Sequence, residues 1–142
     1  MAPLASLREA ALVMRNRHVG SLAVVDPEEP VRRPLGILTD RDIVVAVIAV
    51  PGARPEGIRV CDLMQTRLAA VRESDGVLEA VDAMRAHGVR RLAVLAADGG
   101  LAGVVSADDV LRVLAAELGR LAGAFSRSAE REAVDRRPLD IV

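Results

Sequence analysis

Apolar residues follow two rhythms along this chain, and each rhythm occurs twice. Over residues 6–17, Leu7, Ala10, Ala11 and Met14 recur at helical spacing, with Arg8, Glu9, Arg15 and Arg17 on the other side. That spacing predicts an amphipathic helix. Residues 21–26 hold a short apolar run, Leu22-Ala23-Val24-Val25, closed by Asp26-Pro27, which predicts a strand. Residues 26–34 carry three prolines and five charges and predict a loop. A second strand is expected at 35–38. In the other half, Val77, Ala80, Val81 and Met84 mark a helix over 77–86. Strands are expected at 68–71 and 92–95. Ala97-Asp98-Gly99-Gly100 then gives a hairpin turn whose returning strand is 101–105. From Ser106 onward the pattern is helical again.

One stretch fits either rhythm. Residues 43–50 are apolar throughout and suit a buried strand or a buried helix equally. Thr39, followed three residues later by Asp42, resembles a capping box and selects the helix. A helix that is apolar all round needs cover on more than one side, and a second subunit is the expected cover. Residues 51–58, with two prolines and two glycines, connect the halves, and 60–64 form a short helical or turn segment.

The halves are copies. A shift of 70 residues lays Glu9 on Glu79, Ala10 on Ala80, Met14 on Met84, Arg15 on Arg85 and Leu22-Ala23-Val24 on Leu92-Ala93-Val94. A shift of 67 aligns Gly36 with Gly103, Thr39 with Ser106 and Asp42 with Asp109. The three-residue difference falls in the proline-rich loop, where insertions are tolerated. The chain is a tandem repeat of helix, strand, strand and helix.

Composition narrows the chemistry. With 142 residues the chain can build one domain with a real core or two small, closely packed ones. Its formal charge of −1 and its mixed signs leave no footprint for nucleic acid or an anionic membrane. Every basic residue other than His18 and His87 is arginine, so Schiff-base chemistry and a phosphate-loop lysine are excluded. Phe125 is the only aromatic, so bases cannot stack on aromatic side chains, and a purine would have to lie between aliphatic ones. Cys61 is alone and suits a reducing compartment as a half-buried structural residue. With no signal-peptide pattern and no apolar run long enough to span a bilayer, a cytoplasmic location is expected.

The chemistry concentrates in Gly36-Ile37-Leu38-Thr39-Asp40-Arg41-Asp42 and in its copy, Gly103 to Asp109. Each reads as a strand end, a tight turn and a first helical turn. This places a hydroxyl, a carboxylate and a row of unpaired backbone N–H groups at one spot. Helix capping alone, worth about 1–2 kcal/mol per helix, also accounts for Thr39, Ser106, Asp42 and Asp109. His18 and His87 are expected as surface turn residues. No nucleophile–base set and no metal-ligand spacing is present, so no catalytic and no metal residues are assigned.

These stretches, with Met14 to Val25, Met84 to Leu95 and Val60-Cys61-Asp62-Leu63-Met64, resemble the cystathionine-β-synthase (CBS) domain pair, or Bateman module. The resemblance covers roughly residues 5–118. It implies an α/β (α+β) fold of two β-α-β-β-α repeats packed about a pseudo-two-fold axis, with adenosine-containing ligands in the clefts between them. It further implies that Thr39 and Ser106 contact phosphates, and that Asp42 and Asp109 bind ribose hydroxyls. Leu68, Ala69 and Ala70 would wall the adenine slot of the Thr39/Asp42 cleft, and Arg91 would meet phosphate. The counterpart of 60–70 would precede Met1, so the first strand of repeat one is expected to be missing and the Ser106/Asp109 cleft damaged.

The expected organisation is a first repeat over 1–52, a second over 53–118 and a helical extension with a tail over 119–142. The expected function is a non-catalytic regulatory module that binds AMP, ADP, ATP or another adenosyl ligand, with magnesium arriving only on the nucleotide. Ligand would act by changing repeat or dimer geometry for a regulated protein to read. The alternative is a structural or dimerisation protein whose clefts are not functional. Leu111, Leu114, Leu118, Leu121 and Phe125 repeat at 3-4-3-4 spacing, which predicts a seam extending a homodimer contact.

Overall fold

The computed structural model describes residues 1–135. Repeat one comprises α1 (Leu7–Arg17), β1 (Ser21–Val25), β2 (Pro34–Thr39) and α2 (Asp40–Ile43). Repeat two comprises α3 (Val60–Leu63), β3 (Ala70–Arg72), α4 (Val77–His87), β4 (Arg91–Leu95) and β5 (Leu101–Ser106). The long helix α5 (Ala107–Asp135) belongs to a second compact unit that begins at Ala107. The seam residues Leu111, Leu118, Leu121 and Phe125 are exposed along it. Of the helical extension and tail expected over 119–142, helix α5 takes the part up to Asp135, and residues 136–142 lie outside the described residues.

The duplication is preserved down to its irregularities. In each repeat an antiparallel hairpin, β1–β2 or β4–β5, carries a register shift at the same place, between Val24 and Val25 or between Val94 and Leu95. Each preceding helix ends in a left-handed residue, His18 at φ 52° and Gly88 at φ 63°. Glycine takes that conformation freely, whereas His18 is the one non-glycine residue with positive φ among those described. Each helix buries part of the face that the periodicity selects, Ala10 with Met14 and Ala80 with Met84, while Ala11 and Val77 are exposed.

The sheets differ at their edges. In the second, β3 runs parallel to β4, with Val71 opposite Val94. The first has only two strands. Met1 nevertheless occupies the matching position. Its ammonium donates to the Ala23 carbonyl at 3.0 Å, and its carbonyl accepts from the Val25 amide at 3.0 Å. Those two bonds straddle Val24, as a parallel partner requires, and Val24 is the 70-residue counterpart of Val94. Burial, and after it the charge of Arg32, lowers the pKa of the Met1 amine below its usual 8.0.

Residues 43–50 are helical, but not as a continuous α-helix. After α2 the chain opens into a π-helix over Val44–Ile48, in which the Ala49 amide donates to the Val44 carbonyl at 3.0 Å. Within it Val47 is buried, while Val44, Val45 and Ile48 face solvent. The stretch is apolar all round, as read, and one side of it lacks cover among the described residues.

Repeat two contributes one buried residue to the core of repeat one. Val60 of repeat two is fully buried in a cluster with Leu7, Met14, Val24, Leu38 and Val47 of repeat one. Backbone bonds stitch them together. The amides of Val60 and Cys61 donate to the carbonyls of Ala5 and Pro3, each at 2.9 Å. Gln65 pairs with Ile37 on the free edge of β2, exchanging two bonds of 2.9 and 3.0 Å. At the opposite end of the hairpins the proline-rich loop straps repeat two, the Leu101 amide donating to the Arg32 carbonyl at 2.9 Å.

Candidate functional site

Thr39 ends β2 in an extended conformation and caps α2, as the capping box predicts. The Asp42 amide donates to Thr39 Oγ1 at 3.2 Å, and Asp42 Oδ2 accepts from the Thr39 amide at 2.8 Å and from its hydroxyl at 2.7 Å. The expected row of unpaired N–H groups is not there. The Asp40 amide donates to the Gly20 carbonyl at 3.1 Å, and the Arg41 amide to Asp40 Oδ1 at 2.8 Å. With the Thr39 hydroxyl and the first amides of α2 committed to the protein itself, an anion here must be met by side chains.

Those side chains are arginines. Thr39, Asp40 and Asp42 line a cleft of about 570 Å³ together with Arg41 of the same turn and with Arg90 and Arg91, which lead into β4 from the other repeat. Arg91 and Asp40 both lie over Gly20, where an added Cβ would stand 3.3 Å from the Arg91 guanidinium and 3.0 Å from the Asp40 carboxylate. The apolar part of the lining is aliphatic: Ile37, Val45, Ala46, Leu63 and Val89. One face of the π-helix thus forms part of the wall. Bulges of this kind are frequent at functional sites.

The sequence reading placed Leu68, Ala69 and Ala70 on this wall. They are not among the residues that line the cleft. The Ala69 carbonyl accepts from the Ala93 amide at 3.0 Å, and Ala70 lies opposite Ala93, so Ala69 and Ala70 are built into the edge of the second sheet. The segment just before them takes the wall instead, through Leu63 and Gln65. Gln65 reaches back to the motif, its Nε2 donating to Asp42 Oδ1 at 3.0 Å. Gly36 makes room for this segment, because a Cβ there would stand 2.8 Å from the Gln65 carbonyl oxygen and 2.9 Å from the Met64 sulfur. Of the second candidate set, Ser106 closes β5 opposite Arg91, and Asp109 lies in the first turn of α5 with its Oδ1 3.1 Å from Arg112.

A hydroxyl and a carboxylate at a strand-to-helix corner, repeated in tandem, match one protein family in particular. The profile of the CBS domain fits this chain twice, over residues 2–49 and 60–116. The chain belongs to the CBS-domain family. Its two-sheet α/β architecture is that of the CBS pair. A CBS-domain signal-transduction protein from Burkholderia ambifaria superposes with a TM-score of 0.70 at 27% identity, over 81% of this chain and 80% of that one. A CBS-domain protein from Pyrobaculum aerophilum, complexed with AMP, superposes with a TM-score of 0.69 at 27% identity, over 82% and 89%. An uncharacterized protein of Methanopyrus kandleri is 34% identical over 112 residues, which is 79% of this chain and 55% of that protein. A relative from Acidianus ambivalens is 35% identical over 79% of this chain and 64% of its own length, so the chain spans a little over half of these curated relatives.

Among the described residues no group of three or more His, Cys, Asp or Glu side chains is placed to hold a metal ion. No helix among them is long and apolar enough to cross a membrane.

Proposed function

We propose that this CBS pair is a cytoplasmic regulatory module that binds an adenine nucleotide in the Thr39/Asp42 cleft and performs no chemistry on it. The observation that carries the reading is the convergence of Thr39, Asp42, Arg41 and Arg91 on one inter-repeat cleft with an aliphatic wall. Asp42 takes the ribose. Arg41 and Arg91 take the phosphates, because guanidinium groups pair with phosphate oxygens in a planar, bidentate fashion. Ile37, Val45, Leu63 and Val89 sandwich the purine, as a chain without Trp or Tyr requires. Magnesium arrives on the nucleotide rather than in a protein cage. The AMP held by the relative from Pyrobaculum aerophilum supports this ligand class.

Regulation follows from the position of the cleft. A ligand that grips α2 and the start of β4 together favours one angle between the repeats, and a partner protein reads that angle. A homodimer is part of the reading. Val44 and Ile48 form an exposed aliphatic face, with Ile48 77% accessible, and a second copy of the chain covers it. Calorimetric titration with AMP, ADP and ATP tests the binding. Absence of any heat at millimolar ligand would discard it.

A second reading has one observation in its favour. The Thr39–Asp42 pair is already satisfied as a helix cap, so it needs no ligand to account for it. On that reading the chain is a dimerisation or interaction protein, and nucleotides leave both its assembly and its stability unchanged.

A further inference from the structure

The hydrogen bond from Gln65 to Asp42 joins residues 23 apart in sequence and lies in the cleft itself. The Gln65 backbone is held by its two-bond pairing with Ile37, and that approach requires glycine at position 36. Its side chain is therefore delivered to the carboxylate by a fixed piece of backbone.

A carboxylate offers about four lone-pair positions. Asp42 has filled three of them, two on Oδ2 with Thr39 and one on Oδ1 with Gln65. One position on Oδ1 remains, which is enough for one hydroxyl donor and not for two. The Gln65 amide keeps its second N–H and its carbonyl oxygen. Two polar atoms 3.0 Å apart, one acceptor and one amide, thus face the same cleft. Neighbouring hydroxyls of a ribose have a similar spacing.

We propose that Gln65 is a specificity-determining residue of this cleft, forming with Asp42 a two-residue reader of a vicinal diol. One ribose hydroxyl donates to Asp42 Oδ1, and the adjacent hydroxyl bonds the Gln65 amide. Gln65 also restrains the Asp42 carboxylate, so the reader is set before ligand arrives. The inference rests on the nucleotide reading above and names what that site discriminates: ribose from deoxyribose, at both hydroxyls.

The test is calorimetric titration of the wild-type chain and of Gln65→Met with AMP, 2′-deoxy-AMP and 3′-deoxy-AMP. Methionine keeps the length of the stem and removes both hydrogen-bonding groups. The wild type should bind AMP about three- to tenfold more tightly than the analogue that loses the neutral bond to Gln65, and about tenfold or more tightly than the one that loses the charge-assisted bond to Asp42. Gln65→Met should bring one of the two ratios to within about twofold of unity and leave the other, read by Asp42, in place. Circular dichroism and thermal melting confirm that the variant is folded, and Gln65→Ala reads the same ratios if it is not. Both ratios unchanged in the variants would overturn the role of Gln65 while leaving nucleotide binding intact. Equal affinities of the wild type for all three ligands would overturn the diol reader. No AMP binding by the wild type would overturn the nucleotide reading itself and this inference with it.

Discussion

The Thr39 hydroxyl donates to Asp42 Oδ2 at 2.7 Å while the Asp42 amide donates back to Thr39 Oγ1 at 3.2 Å, so one residue pair both caps α2 and fixes the carboxylate that faces the cleft. Thr39→Ala removes the cap and one restraint on Asp42. It should cost about 1 kcal/mol in urea denaturation and weaken AMP binding as well. Thr39→Ser keeps the hydroxyl and should preserve both. An alanine variant with unchanged stability and affinity would contradict the coupling of cap and site.

Arg91 is expected to act on phosphate and on nothing else in the ligand. Arg91→Met should lower AMP affinity about tenfold, the loss of one charge-assisted contact, and leave adenosine affinity within error. It should also flatten the dependence of AMP binding on salt. Equal losses for AMP and adenosine would mean that Arg91 supports the fold of the cleft instead.

Gly36 is a packing requirement. A methyl group there meets a backbone carbonyl at 2.8 Å, and backbone cannot swing aside as a flexible side chain can. Gly36→Ala should destabilise the chain by about 1–3 kcal/mol and part Gln65 from Ile37. Thermal melting measures the first effect, and amide exchange at Ile37 and Gln65 the second. Gly103, where an added Cβ meets nothing within 4 Å, supplies the control: Gly103→Ala should be well tolerated.

Glu9 accepts from the Ser6 amide at 2.7 Å and from the Ser6 hydroxyl at 2.8 Å. The backbone bond and then the side-chain bond hold its pKa below the usual 4.5. Since the folded value is the depressed one, the capping box stabilises the chain above pH 4.5 and loses that contribution as the pH falls through the folded value. An NMR titration should place the Glu9 midpoint below 4.5, and Ser6→Ala should move it upward. A midpoint that does not respond to Ser6→Ala would show the shift to have another origin.

Ile48 is the most exposed residue of the π-helix face. If a second copy covers that face, Ile48→Asp should convert the dimer to a monomer in sedimentation equilibrium, because an unpaired charge cannot be buried cheaply. The melting temperature should then depend less on protein concentration. Unchanged assembly in the variant would move the dimer contact elsewhere.

The hairpins, both amphipathic helices and the Thr39 cap were legible because each depends on neighbours within a few residues. Short apolar runs on either side of a proline-rich loop mark β1 and β2, and the Thr39–Asp42 spacing marks the turn. The cleft wall was less legible. Gln65 has no local signature, and its place follows from a bridge to Ile37, 28 residues earlier. Ala70, expected on the wall, lies in β3 and pairs with β4, and Leu63 and Gln65 of the preceding segment line the cleft. The π-helix was hidden for a different reason: eight consecutive apolar residues fit any helical pitch. That Met1 stands beside Val24, where β3 stands beside β4, was not legible, because no local pattern marks it.

The strap from Arg32 to Leu101, the amides of Val60 and Cys61 reaching Pro3 and Ala5, and Val60 seated among Leu7, Met14 and Leu38 have a consequence for dividing the gene. A gene fragment encoding repeat one alone would lose Val60 from its core and the backbone partners of Pro3, Ala5 and Ile37, so a cut between the copies strips both of contacts.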